Sequence, residues 1–202
     1  MKLYDYPGCL FGKKVRIVLA EKELSFDSVQ VDLVKGQQRS DEFRRLNPFG
    51  KVPVLEDESS VVYESTIINE YLNDEYPHPP ELLPEDSGER ARIRLLVDFA
   101  DRAFTLPVMA LERESKLPER DEVRAAAARE AVTKCLAMLE RELTGREYIA
   151  GEFSLADAAF APALLALPTV GVALDASLPN VAAWKSRLLA RPSIGKIAKS
   201  AA

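Results

Sequence analysis

Asn47-Pro48-Phe49-Gly50-Lys51-Val52-Pro53-Val54-Leu55-Glu56-Asp57 is the stretch that decides the fold. Asn47-Pro48 stops a short helical piece over 41–46, because the residue before a proline is biased out of the helical region. Residues 52–56 then read as a strand with Pro53 at its start. Proline cannot donate to a sheet ladder, so it sits at a strand's first residue or on an edge. A cis Val52–Pro53 bond would turn the chain sharply there. The Val52 N–H and C=O would then face outward, free to pair with an extended peptide. The competing reading is a plain loop-to-strand proline.

Working outward, residues 61–63 read as a second strand after the turn Asp57-Glu58-Ser59. Residues 65–75 follow as a helix with Ile67, Ile68, Tyr71 and Leu72 on one face. Upstream, residues 2–4 make a short apolar start, 11–22 an amphipathic helix, and 26–33 a strand with Val29 and Val31 at period two. The order is βαβαββα. Residues 76–88 then carry four prolines and read as a linker. Beyond it the pattern is helical only, over 89–114, 119–143, 154–167 and 180–190, with a short helix after Pro192. The expected division is 1–77, a linker 78–88, and an all-α domain 89–202.

Composition narrows the function. A net charge of -5 and a pI near 5.2 disfavour nucleic acid, whose binders are usually basic. Cys9 and Cys135 are the only cysteines and form no CxxC pair, as expected for a reducing compartment. No apolar run approaches the roughly 18 residues of a membrane span. The start of the chain lacks the apolar stretch of a signal peptide. The expected location is the cytoplasm, away from membranes. His78 is the lone histidine, and no cluster has metal-ligand spacing, so no metal site is expected.

Three further motifs stand out. Glu64-Ser65 precedes the helix at 65–75; Ser65 is a good N-cap, and a helix start suits a carboxylate ligand. Glu64 beside it can receive an amino group; taken by itself, the motif reads better as an ordinary capped helix. Cys9 falls at a loop-helix junction with Lys13 and Lys14 nearby, a setting that can lower a thiol's pKa. Its alternative is a small apolar filler, which describes Cys135 better. Ser154 and Asp157 have capping-box spacing and read as a folding device.

Together with FGKKVRIVLAEK, NPFGKVPVLED, YESTIINEYL, YIAGEFSLADAAFAP and PNVAAWKSRLLARPS, these motifs make the whole chain resemble the cytosolic glutathione transferase superfamily. The resemblance implies a thioredoxin-like N-terminal domain and an all-α C-terminal domain. It implies glutathione as co-substrate, with a small hydrophobic electrophile or a disulfide as second substrate, and a homodimer. Val52, before the cis Pro53, would pair with the cysteinyl part of glutathione. Glu64 and Ser65 would hold the γ-glutamyl end. Gln38, and more weakly Lys35, would approach the glycyl end, with Lys51 adding a charge and Phe11 lining the site. Trp184 would be core, and Phe49 either a plug into a partner subunit or an intrachain contact.

Aligning on KKVRI puts Cys9 at the activating position of the serine and cysteine classes, with Leu10 where those classes carry proline. Tyrosine classes use a residue near Tyr4 or Tyr6 instead. A cysteine there can form a mixed disulfide with glutathione, which favours thiol transfer and reduction. Leu10, Phe11, Phe104, Val108 and Met109 would line the electrophile cleft. Two alternatives resemble other branches: a non-catalytic binding protein associated with transcription or translation, and a zeta-like cis-trans isomerase, whose serine-rich motif is absent.

Overall fold

The computed structural model describes residues 1–58 and 60–199. Ser59 of the expected turn and residues 200–202 of the expected helical domain lie outside them. Strand β1 (Lys2–Asp5) leads into α1 (Leu10–Glu21), then β2 (Asp27–Gln30), α2 (Asp41–Leu46), β3 (Val54–Asp57), β4 (Ser60–Tyr63) and α3 (Ser65–Glu75). The strands pair in the order β2-β1-β3-β4, with β1 and β2 parallel and the other neighbours antiparallel. Successive strand residues point to opposite faces. Leu3 and Leu55 join the large core with α1 and α3, whereas Tyr4 and Val54 pack with Phe43 of α2 on the other face.

The expected strand at 26–33 is shorter, because Asp32 turns the chain. Its carboxylate accepts the Val34 and Lys35 N–H groups, each at 3.0 Å, and draws the backbone away from the ladder.

The helical half contains α4 (Ser87–Phe99), α5 (Leu106–Ser115), α6 (Glu122–Glu142), α7 (Leu155–Ala166), α8 (Pro179–Ala190) and α9 (Pro192–Lys199). The helix expected over 89–114 is continuous in direction but widens into a π-helical segment, Ala100–Thr105. Pro107 explains the break. It has no N–H to donate, and its ring crowds the carbonyl one turn back.

The proline-rich segment is no loose tether. Leu82 and Leu83 are buried, and Asn73 Oδ1 accepts the Leu82 N–H at 3.0 Å. Leu82 O accepts the Leu155 N–H at 2.9 Å. Helix α4 already starts inside the expected linker, where the Asp86 carboxylate accepts the Gly88 and Glu89 N–H groups.

At the start of α7 the capping box forms. Ser154 Oγ accepts the Ala156 N–H, and Asp157 Oδ2 accepts the Ser154 N–H at 3.0 Å. Asp157 Oδ1 also accepts Ile149 N–H at 3.1 Å and Trp184 Nε1–H at 2.9 Å. Trp184 is fully buried against Phe160, as expected of a core residue. Burial pushes the Asp157 carboxyl up to about 6, although its hydrogen bonds pull the other way. Among the described residues, no helix is long and apolar enough to cross a membrane.

Candidate functional site

The Val52–Pro53 peptide is cis. The loop leading to it is held by Asn47, whose Nδ2 donates to Lys51 O at 2.8 Å while its Oδ1 accepts the Phe49 N–H at 3.0 Å. Gly50 sits at φ +61°, and a Cβ there would lie 2.8 Å from the Gln38 carbonyl. Only glycine accepts that conformation and that approach, so Gly50 seats the Gln38 turn behind the loop. The Val52 N–H has no hydrogen-bond partner among the described residues.

Across from it, α3 begins in an unusual way. Glu64 rather than Ser65 occupies the N-cap, at φ 68° and ψ 114°, and makes no side-chain cap bond. Ser65 is therefore the first helical residue, which corrects the expectation that it caps. The positive φ of Glu64 swings the chain into the helix, a conformation that costs a non-glycine residue of order 1–3 kcal/mol. It leaves the first-turn N–H groups of α3 without a side-chain acceptor, with the positive end of the helix dipole beside them.

These pieces meet in a cleft of about 250 Å³ lined by Phe11, Lys51, Val52, Pro53, Glu64 and Ser65, together with Asn47, Thr66, Asp101, Arg102 and Leu106. Six of the expected residues are thus brought together. Gln38 lies behind Gly50, with its Oε1 buried and unpartnered among the described residues. Lys35 lies outside the cleft, exposed and paired with Asp32 at 3.4 Å.

Asn47, Thr66 and Asp101 were missed by sequence reasoning. Asn47 had a signal, since Asn followed by Pro and Gly favours a side-chain-stapled turn. Asp101 had none, because it arrives from the helical half. Its carboxylate is held by Lys14 Nζ at 2.8 Å and by Thr66 Oγ1 at 2.9 Å. That pairing turns Lys14 away from Cys9.

Cys9 precedes α1 as its N-cap residue, half-buried, with Sγ 4.0 Å from Val52 O. Contrary to the expected lowering, burial pushes its thiol up. The Gly12 and Phe11 N–H groups and the Lys13 charge pull down but do not win. Tyr4 points elsewhere: its hydroxyl donates to Glu56 at 2.6 Å on the α2 face, and that bond, with burial, raises it to about 12. Neither Tyr4 nor Tyr6 lines the cleft; Cys9 is not part of its lining either and borders it through Val52.

A second cleft, about 560 Å³, borders the residues that flank Cys9. It is lined by Pro7, Gly8, Leu10 and Lys13 from one half and by residues of α5, α7, α8 and α9 from the other. Leu10 is there as expected. Phe104 and Val108 are not: both are fully buried in the core, and Met109 packs against that core. Their positions on the helix face inward, which sequence periodicity cannot distinguish from a cleft wall.

A mixed sheet with this cis-proline cleft, followed by a helical domain, defines the glutathione transferase fold. The family model for the glutathione S-transferase N-terminal domain matches residues 1–74, and that for the C-terminal domain matches 96–192. The chain belongs to this family, in its cytosolic superfamily. It is 36% identical to a stringent starvation protein A homolog of Coxiella burnetii, over 85% of this chain and 78% of the relative. It is 35% identical to glutathione S-transferase 3 of Zea mays, over 97% and 92%. The solved structure of glutathione S-transferase-I bound with lactoylglutathione superposes at a TM-score of 0.88 with 27% identity, covering 98% of each chain.

Proposed function

We propose that this protein is a glutathione-dependent transferase that uses Cys9 on small apolar electrophiles or disulfides. One observation carries the reading: the unpartnered Val52 N–H, the Glu64 carboxylate and the open start of α3 converge on one cleft, with the Cys9 thiol 4.0 Å from Val52 O. Glutathione has complementary chemistry. Its cysteinyl backbone pairs with Val52, its γ-glutamyl ammonium meets Glu64, and the adjoining carboxylate meets Ser65 and the first N–H groups of α3. Its glycyl end runs toward Lys51 and the Gln38 turn; Lys35 would contribute only after leaving Asp32.

The thiol of glutathione then lies beside Cys9, and two steps open. With an electrophile, the protonated Cys9 thiol donates a hydrogen bond to the glutathione thiolate, a role its raised pKa suits at neutral pH. With a mixed disulfide of glutathione, the Cys9 thiolate attacks the glutathionyl sulfur. The sulfur–sulfur bond breaks and the departing thiolate takes a proton from water. A second glutathione thiolate resolves the Cys9 adduct, releasing oxidised glutathione and restoring Cys9.

Mass spectrometry after treatment with oxidised glutathione tests the second step. A glutathione adduct on Cys9 is expected, forming about tenfold faster per pH unit between pH 7 and 8.5, since the reactive thiolate is the minor form there. An unchanged mass, with Cys9→Ser retaining full activity, removes Cys9 from the mechanism.

A homodimer and a cytoplasmic location belong to the same reading. Phe49 suits a plug, being 67% exposed with its ring only edge-on to Tyr63. Sedimentation of wild type against Phe49→Ala checks it.

The second reading is a non-catalytic binding protein, favoured by the 36% identity to a stringent starvation protein A homolog. Retention on immobilised glutathione without disulfide reduction or aromatic-halide conjugation would support it.

A further inference from the structure

The cleft of about 560 Å³ has an uneven charge. Its walls are largely apolar, from Pro7, Leu10, Pro162, Leu165 and Leu189 among others, and its ionisable members are Lys13, Lys185 and Glu112. Glu112 is already engaged, since Lys116 Nζ donates to its Oε1 at 2.6 Å. Lys13 and Lys185 are both half-buried, and neither makes an ion pair among the described residues. They come from opposite halves of the molecule, α1 and α8, and both line this cleft. A chain with a net charge of -5 repels anions at long range, so two unneutralised ammonium groups against an apolar wall form a local exception. Their attraction is strengthened by partial removal from water.

We propose that the second substrate is an apolar molecule bearing one anionic group, a carboxylate or sulfonate, which Lys13 and Lys185 select. The inference rests on the transferase reading for its chemistry, but the binding preference stands apart from turnover. The apolar body fills the space between Leu10, Pro162 and Leu165. The anion lies against the two ammonium groups, leaving the electrophilic carbon toward the Cys9 turn.

Two measurements decide it on the full chain. The first is binding alone, by fluorescence titration with 8-anilinonaphthalene-1-sulfonate and its uncharged parent N-phenyl-1-naphthylamine. Hydrophobicity favours the uncharged dye, so at least tenfold tighter binding of the sulfonate is expected. Lys185→Gln and Lys13→Gln should each erase most of that ratio, and raised salt should shrink it. Equal affinities, or a ratio that survives both substitutions, overturn the proposal.

The second measurement is glutathione addition to 4-phenyl-3-buten-2-one and to its para-carboxylate, each corrected for the uncatalysed rate. The glutathione thiolate adds to the β-carbon, a carbon–sulfur bond replaces the alkene π bond, and the resulting enolate takes a proton from water at the α-carbon. The carboxylate should be favoured about tenfold in kcat/KM, with the preference lost in Lys185→Gln. A neutral-preferring enzyme overturns the proposal. Absence of addition to either enone removes the conjugation arm of the transferase reading instead, and the dye ratio then decides the anion preference independently. Circular dichroism of each variant establishes that it is folded.

Discussion

The starts of α3 and α7 are both helix N-termini set beside the core, and they are built in opposite ways. At α7, Ser154 and Asp157 satisfy one another, and Asp157 also holds Ile149 N–H and the Trp184 indole, all of it buried. At α3, Glu64 stands at φ 68° with no side-chain cap bond, and the first turn opens into a cleft. One end has its backbone donors served by the protein; the other leaves them for something else. Closed caps hold folds together, whereas an uncapped helix start in a strained conformation is a place where a ligand can complete the structure.

The largest test of that contrast is Asp157→Ala. It leaves several buried donors without acceptors and should lower unfolding stability by about 4 kcal/mol, read by urea denaturation. Ser65→Ala, at the other helix start, should leave the urea midpoint almost unmoved. A small loss at Asp157 would break the comparison.

A second test is pH. The folded Asp157 carboxyl titrates at about 6, above its unfolded value of about 3.9. The folded state therefore holds that proton more tightly. The stabilisation is full below about pH 4 and is lost as pH rises through 6, an effect of about 3 kcal/mol. Asp157→Asn removes this component, so subtracting its stability–pH curve from that of the wild type isolates it.

Smaller effects sharpen the open end. Glu64→Gly relieves the positive φ and should raise stability by about 1 kcal/mol, while weakening retention on immobilised glutathione about tenfold through loss of a charged contact, or roughly 1.4 kcal/mol. Stability and binding moving in opposite directions is the signature of a strained site, and parallel changes would contradict it. Gly50→Ala, forced to φ +61° and against the Gln38 carbonyl, should cost about 1–2 kcal/mol and lower glutathione retention with it.

Much of this was readable before any coordinates. The Val52-Pro53 pair, the Ser154-Asp157 spacing and the helical second half follow from local rules, because each depends on residues within a few positions of one another. The reading failed where the answer came from distant parts. Lys14 looked like a cation for Cys9, but Asp101, 87 residues away, claims it. Ser65 looked like a cap, but the path out of β4 passes that role to Glu64. Cys9 looked activated by its helix and lysines, but burial outweighs both. Phe104 and Val108 looked like cleft residues, and the packing of the π-helical segment and α5 on their neighbours turned them inward.

Local chemistry alone thus settled the order of strands and helices and where the chain turns, since backbone preference and side-chain period act over one or two turns. Burial, charge pairing and the joining of two halves into clefts waited on the folded chain. Those quantities depend on which surfaces lose water and which charges meet, and only the packing of distant segments sets them.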